Sequence, residues 1–200
     1  GAPPARFVCV EPAEGMAQKA RERGFEDVIV AGALEWASAD AGAGDPPESA
    51  GKSDLVIMKE VRHHFEDPAV VYDALVRNRL GDGGRILLIT RPDKSKPYYP
   101  FPQKGHEAWE AGTSIPLDRH VAALRAAGLR DVEVTERPFH VRMPRAEWVR
   151  LLRAKFWSNL HILSDAEMED GIATELGLSD SDEGDIEFDD MYLFVKGDKA

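Results

Sequence analysis

The chain has 200 residues, of which 43% are hydrophobic and 30% charged, and its formal net charge is −11. This size and composition are typical of one globular domain with a substantial core. No apolar run approaches the roughly 18 residues that a membrane helix requires, so no membrane partner is predicted. The acidic balance disfavours nucleic acid as a partner, because binding to a phosphate backbone depends on a cationic surface.

The cellular compartment is predicted from two features. Cys9 is the only cysteine, so it cannot form an internal disulfide, and it stands among valines. The first residues, G-A-P-P-A-R, show neither the charged region nor the apolar region of a secretory signal. We therefore expect a reducing, cytoplasmic location.

The N-terminal half alternates apolar runs with helical patterns. Strands are predicted at F-V-C-V (7–10), D-V-I-V-A (27–31), S-D-L-V-I-M (53–58) and R-I-L-L-I-T (85–90). Helices are predicted at 12–23 and, with Asp67 as N-cap and Pro68 in the first turn, up to Gly81. The low-complexity residues 38–53 predict an exposed loop. The strand at 53–58 is apolar throughout, as expected for a strand covered on both faces.

The C-terminal half begins with an irregular, aromatic-rich section at 91–116. Further elements are a helix at 118–127 closed by Gly128, a strand beginning V-E-V-T-E-R-P-F, a helix at 144–160, an acidic loop at 179–190 and a final strand M-Y-L-F-V-K. The alternation predicts an α/β fold, a doubly wound and largely parallel sheet with helices on both faces. We expect residues 1–200 to form a single domain.

Ligands of such sheets bind at the carboxyl ends of the strands. Glu11, the segment from Lys59 to His64, and the segment from Arg91 to Asp93 all follow predicted strands. Glu11 has two interpretations of equal weight: it can accept hydrogen bonds from the cis hydroxyls of a ribose, or it can favour the dipole of the next helix. Met16 can lie against an adenine ring or pack in the core, and the core is the better interpretation from spacing alone.

His63 and His64 lie between a strand and a capped helix, where an imidazole can act as a base near neutral pH. For one of the pair, a solvated or cap-bonded histidine is the favoured alternative. No metal site is predicted, because adjacent histidines do not readily converge on one ion and no set of acids or cysteines completes a site.

Four segments together resemble class I S-adenosylmethionine-dependent methyltransferases of the type 11 kind. V-E-P-A-E-G-M is similar to the family's second motif, and V-A-G-A-L-E-W to the segment that wraps the adenine. S-D-L-V-I-M-K-E-V-R-H-H-F-E-D-P and L-G-D-G-G-R-I-L-L-I-T resemble the fourth and fifth strands of that family with their flanking turns. The likeness covers residues 7–91 well and residues 117–139 more loosely.

The resemblance implies a Rossmann-like fold that binds S-adenosylmethionine in residues 7–91, with a lid and acceptor side in residues 92–200. Glu11 would receive the ribose hydroxyls, and Lys59 and Glu60 would lie under the methionine half of the cofactor. The implied cofactor-binding residues are Glu11, Pro12, Met16, Ala33, Leu34, Glu35, Lys59 and Glu60. His63 and His64 would lie near the sulfonium, and either can remove a proton from the acceptor. The enzyme would otherwise align the nucleophile, the methyl group and the sulfur for an in-line SN2 transfer.

The sequence departs from the family's pattern in two places. Many members have Asp where Ala33 stands, so adenine recognition would depend more on the backbone. The family's first strand and its G-x-G-x-G loop are not seen and should lie upstream of residue 1, so we expect this chain to be a fragment of a longer product that is inactive by itself.

The acceptor side offers two groups of candidates. Tyr98, Tyr99 and Trp109 can form an aromatic wall for a sulfonium or a planar acceptor, although a loop packed down by its own aromatics fits equally. Arg142 belongs to a basic stretch at 137–155 that can serve an anionic small substrate, although a solvated helix face is the commoner meaning.

The predicted function is methyl transfer to a small-molecule acceptor. Two alternatives remain open at this stage. One is a nicotinamide-dependent Rossmann oxidoreductase, because an acid after the second strand suits that ribose equally. The other is a non-catalytic relative that keeps the fold as an interaction module.

Overall fold

The computed structural model describes residues 6–39, 52–95, 98–112 and 115–200. In the first of these ranges, strand β1 (Val8–Val10) and strand β2 (Asp27–Ile29) pair in parallel. Helix α1 (Glu14–Glu22) connects them. The predicted order of strand, helix and strand is therefore present here, with slightly shorter elements than expected.

The main sheet has four strands: β3 (Ser53–Lys59), β4 (Leu80–Thr90), β5 (Leu129–Pro144) and β6 (Asp185–Lys199). Their order across the sheet is β3-β4-β6-β5. β3 and β4 are parallel, whereas β6 runs antiparallel to both β4 and β5. The carboxyl ends of β3 and β4 consequently meet at one edge, and the last strand of the chain lies beside them.

The helices that follow are distributed along the rest of the chain. They are α2 (Ala33–Ser38), α3 (Pro68–Ala74), α4 (Gln103–Gly112), α5 (Leu117–Ala126), α6 (Arg145–Arg153) and α7 (Asp165–Asp170). Short 3-10 turns lie at Arg62–His64 and Ser158–Ile162, and π-helical turns at Leu75–Arg79 and Gly171–Glu175.

The first core lies between one face of the sheet and helices α2, α3 and α5. Ile86 and Leu88 of β4 and Leu124 of α5 are fully buried there. The N-terminus of α3 is fixed as the sequence predicts, because the Asp67 side chain accepts a hydrogen bond from the backbone N–H of Ala69 at 2.9 Å. The apolar face of α3 therefore packs on the strands whose ends form the candidate site.

The burial predicted for strand β3 is wrong in part. Val56 and Met58 are buried in the first core, but Leu55 and Ile57 on the opposite face are 47% and 54% exposed. Because side chains of a strand alternate between its faces, the helices of the first core cover only one of them. Among the described residues, β3 is thus a strand with one buried and one exposed face.

The second core is formed by the C-terminal helices. Trp148 and Leu152 of α6 pack there with Leu160, Met168 and other apolar side chains, these four at most 2% exposed. The Trp148 indole N–H donates to the carbonyl of Pro100 at 3.1 Å. This bond ties the aromatic-rich segment after β4 to the second core.

Several predicted boundaries in the C-terminal half are wrong. Residues 103–112 form α4 within the section expected to be irregular. The helix expected at 144–160 ends at Arg153, and Lys155 beyond it has a φ of 47°. β6 begins at Asp185, inside the expected acidic loop, because it pairs with an extended β5 up to Pro144. The loop expected at 38–53 falls mostly on residues 40–51, outside the described residues.

Candidate functional site

The turn after β3 is anchored by the buried Arg62, whose side chain is 5% exposed. Its Nε donates to Oγ1 of Thr90 and its Nη1 to the carbonyl of Ile115, each at 2.9 Å. It also forms an ion pair with Asp93. Since Thr90 ends β4 and Ile115 precedes α5, these contacts fix the 3-10 turn against two other elements.

That turn carries the two histidines that the sequence predicts as bases. His63 and His64 lie at the surface, and their ring centroids are 4.0 Å apart. Partial burial, followed by the nearby charges of His64 and Arg62, lowers the pKa of His63 below its ordinary value. A lowered pKa keeps the His63 imidazole neutral near neutral pH, so it can accept a proton. Its catalytic role stays a prediction.

A partly buried cation lies at the neighbouring strand end, where Arg91 follows β4. Its guanidinium makes a two-pronged contact with Asp190, from Nε to Oδ1 at 3.1 Å and from Nη2 to Oδ2 at 3.0 Å. Its Nη1 lies 3.0 Å from Oε2 of Glu60, the residue that follows β3. Arg91 therefore connects the ends of β3 and β4 with strand β6.

Aromatic side chains surround this cation. The Arg91 guanidinium lies 4.7 Å from the ring centroid of Trp157 and 4.4 Å from that of Tyr192, within the range of cation–π attraction. The Tyr99 hydroxyl donates to Oδ1 of Asp190 at 2.8 Å. The term Arg91 cluster denotes the following residues: Glu60, Arg91, Tyr99, Trp157, Asp190 and Tyr192.

The surroundings of Arg91 and Tyr99 determine the protonation states of these two side chains. Burial by itself lowers the pKa of Arg91, but the hydrogen bonds to Asp190 and the charges of Glu60 and Asp190 outweigh it and raise that pKa. Burial, and then the hydrogen bond to Asp190, raises the pKa of Tyr99. Arg91 is therefore cationic and Tyr99 neutral across the physiological range.

The predicted cofactor residue Glu11 lies at the start of α1. Its Oε1 accepts a hydrogen bond from the backbone N–H of Ala13 at 2.9 Å, and its own N–H donates to the carbonyl of Ile29 at 3.0 Å. The hydrogen bond to Ala13, at the N-cap of α1, agrees with the interpretation of Glu11 as an acid that stabilises the helix end. The second role, on a ribose, stays a prediction, and the exposed Pro12 lies beside it.

Met16 is 53% exposed on α1, so its packing into the core is ruled out. Its thioether is therefore accessible to solvent on α1, the helix that follows Glu11. This exposure is compatible with a place beside an adenosyl group.

The segment expected to wrap adenine begins α2. Ala33 is its first residue, Leu34 is 39% exposed, and the Glu35 carboxylate accepts from the backbone N–H of Gly32 at 3.3 Å. The helix is held to the first core because Nε of Arg79 donates to the carbonyl of Trp36 at 2.9 Å. Lys59, predicted beside the same cofactor, ends β3 with its ammonium 5.8 Å from the ring centroid of Tyr192.

The predicted acceptor residues lie in different surroundings. Tyr99 is only 2% exposed and belongs to the second core as well as to the Arg91 cluster. Trp109 is partly buried and donates from its indole to the carbonyl of Pro92 at 3.1 Å. The exposed Arg142 is paired with Asp185 on the adjacent strand. Tyr98 lines an open depression of about 570 Å³.

The structure brings some predicted residues together and separates others. It joins Glu60 to Arg91, and it places His63 and His64 on the adjoining turn. Glu11, by contrast, follows β1 of the separate two-stranded sheet. Arg91 follows a strand and is a candidate by position, whereas its partners on β6 lie about a hundred residues later and the sequence carries no local signal for them.

Membrane-spanning helices and metal clusters can be assessed for the described ranges only. No helix in them combines the length and apolar character that crossing a membrane requires. No group of three or more His, Cys, Asp or Glu side chains in them is placed to hold a metal ion.

Comparison with known proteins gives a family match for the N-terminal part of the chain. Residues 1–88 match a family model described as a methyltransferase domain. No curated protein sequence matches. The matched range extends from the N-terminus through β3 into β4, so it includes Glu11, Glu60 and both predicted bases.

Solved structures share the fold over almost the whole chain. A Bacillus halodurans protein assigned as a methyltransferase is 16% identical, with a TM-score of 0.54, 98% of this chain and 83% of that chain covered. A SAM-dependent methyltransferase of Thermotoga maritima is also 16% identical, with a TM-score of 0.53 and coverages of 96% and 72%. A Haemonchus contortus phosphoethanolamine N-methyltransferase is 15% identical, with a TM-score of 0.51. The match covers 95% of this chain and 42% of that chain. The predicted Rossmann-like α/β fold is confirmed.

Proposed function

We propose that the chain transfers a methyl group from S-adenosylmethionine to a small-molecule acceptor, because residues 1–88 match a family model described as a methyltransferase domain and solved methyltransferases share its fold. The observation that carries this proposal is the family match over residues 1–88. The candidate residues at the ends of β1 and β3 fall within that range. The neighbour from Haemonchus contortus was solved with S-adenosylhomocysteine and a small phosphorylated amine, which supports a small acceptor here as well.

Each candidate residue has a distinct role in this proposal. Glu11 receives the cis hydroxyls of the ribose, Met16 lies against the adenosyl group, and the start of α2 supplies backbone contacts to adenine. The cofactor provides an electrophilic methyl group on a sulfonium. The protein's own task is to exclude water and to align the acceptor in line with that methyl group.

His63 is the base in this proposal. Its lowered pKa keeps it neutral when the acceptor binds, and Arg62 fixes the turn that carries it. A proton held by the acceptor nucleophile can then pass to the imidazole. Such general-base assistance contributes about 10²–10⁴-fold to a rate.

The compartment proposed for this activity is the cytoplasm. Cys9 is a free, partly buried thiol in β1, and burial, followed by the charge of Glu11, raises its pKa. The thiol is therefore protonated near neutral pH. The proposal of a reducing compartment rests on Cys9 being the only cysteine of the sequence, which cannot form an internal disulfide.

The test is a calorimetric titration of S-adenosylhomocysteine into the protein. We expect micromolar binding, and we expect Glu11→Ala to weaken it by about 2 kcal/mol because the substitution strands two ribose hydroxyls. Glu14→Ala is the matched control, since Glu14 is an exposed acid in the first turn of the same helix. Equal affinity in both variants would reduce Glu11 to a helix-end charge.

The same titration distinguishes the alternatives. A clear preference for NADH over S-adenosylhomocysteine would replace methyl transfer by hydride transfer. Absence of binding by a folded protein to either ligand would favour a non-catalytic module.

A further inference from the structure

A solvent-accessible pair of aromatic side chains lies on β5 and β6, outside the residues of the two described cores. Phe139 of β5 is 49% exposed. Its ring is nearly perpendicular to that of Tyr192 on β6, with the ring centroids 5.5 Å apart and an interplanar angle of 89°. A flat ring that stacks on Phe139 can therefore contact Tyr192 as well, in the geometries that aromatic pairs prefer.

Two cations lie beside this aromatic pair. Arg137 is opposite Tyr192 in the antiparallel pairing of β5 and β6, so the two side chains are on the same face of the sheet. Lys59, at the end of β3, has its ammonium 5.8 Å from the ring centroid of Tyr192. Both cations are exposed. Tyr192 is thus the neighbour that Phe139, Arg137 and Lys59 share.

These two cations differ from several others near them in lacking an anionic partner. Three cations of β4 and β6 and their flanks are each paired with carboxylates: Arg85 with Asp198, Lys196 with Glu133, and Arg91 with Asp190 and Glu60. Among the described residues, no carboxylate pairs with Lys59 or Arg137. Their charges outweigh the net negative charge that the two acids leave at Arg91, so this corner attracts an anion.

The chemistry of Arg137 selects the kind of anion. A guanidinium presents two parallel N–H donors, which match the two oxygens of a carboxylate. A phosphate carries about two negative charges, and Asp190, which is opposite Phe139 in the strand pairing, opposes the second. The acids Glu136 and Asp189 stand at the alternate positions of their strands, so they lie on the other face of the sheet.

We propose that the methyl acceptor is an aromatic carboxylic acid, bound as its carboxylate, with its ring on Phe139 and its carboxylate at the guanidinium of Arg137. Phe139 and Arg137 are then the residues that determine acceptor specificity, while Lys59 keeps its place beside the cofactor. The inference rests on the proposed methyl transfer and names the substrate class of that reaction.

This proposal places acceptor recognition on side chains other than those first expected. Tyr99 is only 2% exposed, so its ring offers no open face, whereas the Phe139 ring does. Arg142 is engaged by Asp185, whereas Arg137 in the same basic stretch is available to a ligand. The expectation of an anionic small substrate is kept, and the residue that binds it is changed.

The test compares 2-naphthoate, 2-naphthylmethanol and decahydro-2-naphthoate. The second probe has the ring of the first without its charge, and the third has the charge without the flat ring. Their binding to the full chain is measured by calorimetry with and without saturating S-adenosylhomocysteine. We expect 2-naphthoate to bind about tenfold more tightly than either other probe, because it alone combines the stacking with the charge-assisted bond. Equal binding of 2-naphthoate and 2-naphthylmethanol, or of the two anions, would overturn the proposal.

Two variants assign the binding to the proposed residues. Arg137→Gln removes the charge, so it should weaken 2-naphthoate binding about tenfold and leave the affinity for 2-naphthylmethanol unchanged. Phe139→Leu keeps an apolar side chain without a flat face, so it should weaken the binding of both naphthalene probes but not of decahydro-2-naphthoate. Both variants should bind S-adenosylhomocysteine as the wild type does.

Arg130→Gln is the matched control, because Arg130 is another exposed arginine of β5, at the opposite end of its pairing with β6. It should leave the affinity for 2-naphthoate unchanged. A loss as large as that of Arg137→Gln would reduce the effect to the overall charge of the protein and would refute the site.

The two proposals fail in different ways. If the wild-type protein does not bind S-adenosylhomocysteine, the proposed methyl transfer fails, and the acceptor role of this corner fails with it. If the protein binds S-adenosylhomocysteine but its affinity for 2-naphthoate does not depend on Arg137, only the inference of an aromatic acid fails.

Discussion

His120 of α5 should make the stability of the protein fall as the pH drops below about 6.5. The side chain is fully buried, and its Nδ1 lies 2.9 Å from the hydroxyl oxygen of Tyr72. Its Nε2 has no hydrogen-bond partner among the described residues. Burial, followed by the charge of Arg62, lowers the pKa of His120 to about 4, and the charge of Asp93 opposes this only in part.

The sign follows from the two protonation equilibria. The unfolded chain takes up a proton at His120 near its ordinary pKa of 6.5, whereas the folded protein does so only near 4. Between these values the unfolded state binds more protons, so stability is complete above pH 6.5 and is lost as the pH falls towards 4. The difference between the two pKa values corresponds to about 3 kcal/mol.

The assay is urea unfolding of the wild type and His120→Gln at several pH values from 7.5 to 4.5. Glutamine can still hydrogen-bond to the Tyr72 hydroxyl but does not titrate, and the carboxylates of the two proteins titrate alike. The free-energy difference between the proteins should therefore shift by up to about 3 kcal/mol in favour of His120→Gln on acidification. Curves that stay parallel over this range would refute the assignment of a neutral, buried His120.

Two predictions concern local structure. Asp67→Ala should lower the free energy of unfolding by about 1 kcal/mol in urea, because it removes the cap on the N–H of Ala69; an unchanged midpoint would contradict this. Gly171→Ala should destabilise by about 1–3 kcal/mol, since the added Cβ would lie 2.6 Å from Cβ of Pro102. Gly15→Ala is the control: no atom lies within 4 Å of its added Cβ, so a stability loss there as large as at Gly171 would rule out the steric explanation.

The parts of the fold that the sequence predicts correctly depend on local signals. Asp67 and Pro68 predict the start of α3, and Gly128, with a φ of 97°, ends α5 as expected. Strand ends are equally local, so the positions of Glu11 and Glu60 in the sequence are enough to identify them as candidates. These residues act through the backbone within a few positions of themselves, which is why the pattern is sufficient.

The parts that fail depend on distant partners. The acidic residues near 185–190 predict a loop by composition, but they form a strand because β5 pairs with them along its whole length. Asp190 is then opposite Phe139 and close to Arg91, at a sequence separation of 99 residues. No periodicity marks such a pairing, and α4 is likewise hidden in a segment that proline and aromatic residues make look irregular.

The Arg91 cluster combines residues that the sequence identifies by their position at strand ends with residues that only the fold brings beside them. Glu60 and Arg91 end neighbouring parallel strands of the sheet, whereas Trp157 belongs to the second core and Asp190 to the last strand. Burying these charges is weak evidence for stability, because an ion pair desolvated in a protein can often be replaced by apolar side chains without loss. Its member Glu60 has a φ of 55° and a buried carboxylate oxygen without a donor among the described residues, a combination that adds to the free energy of the folded state.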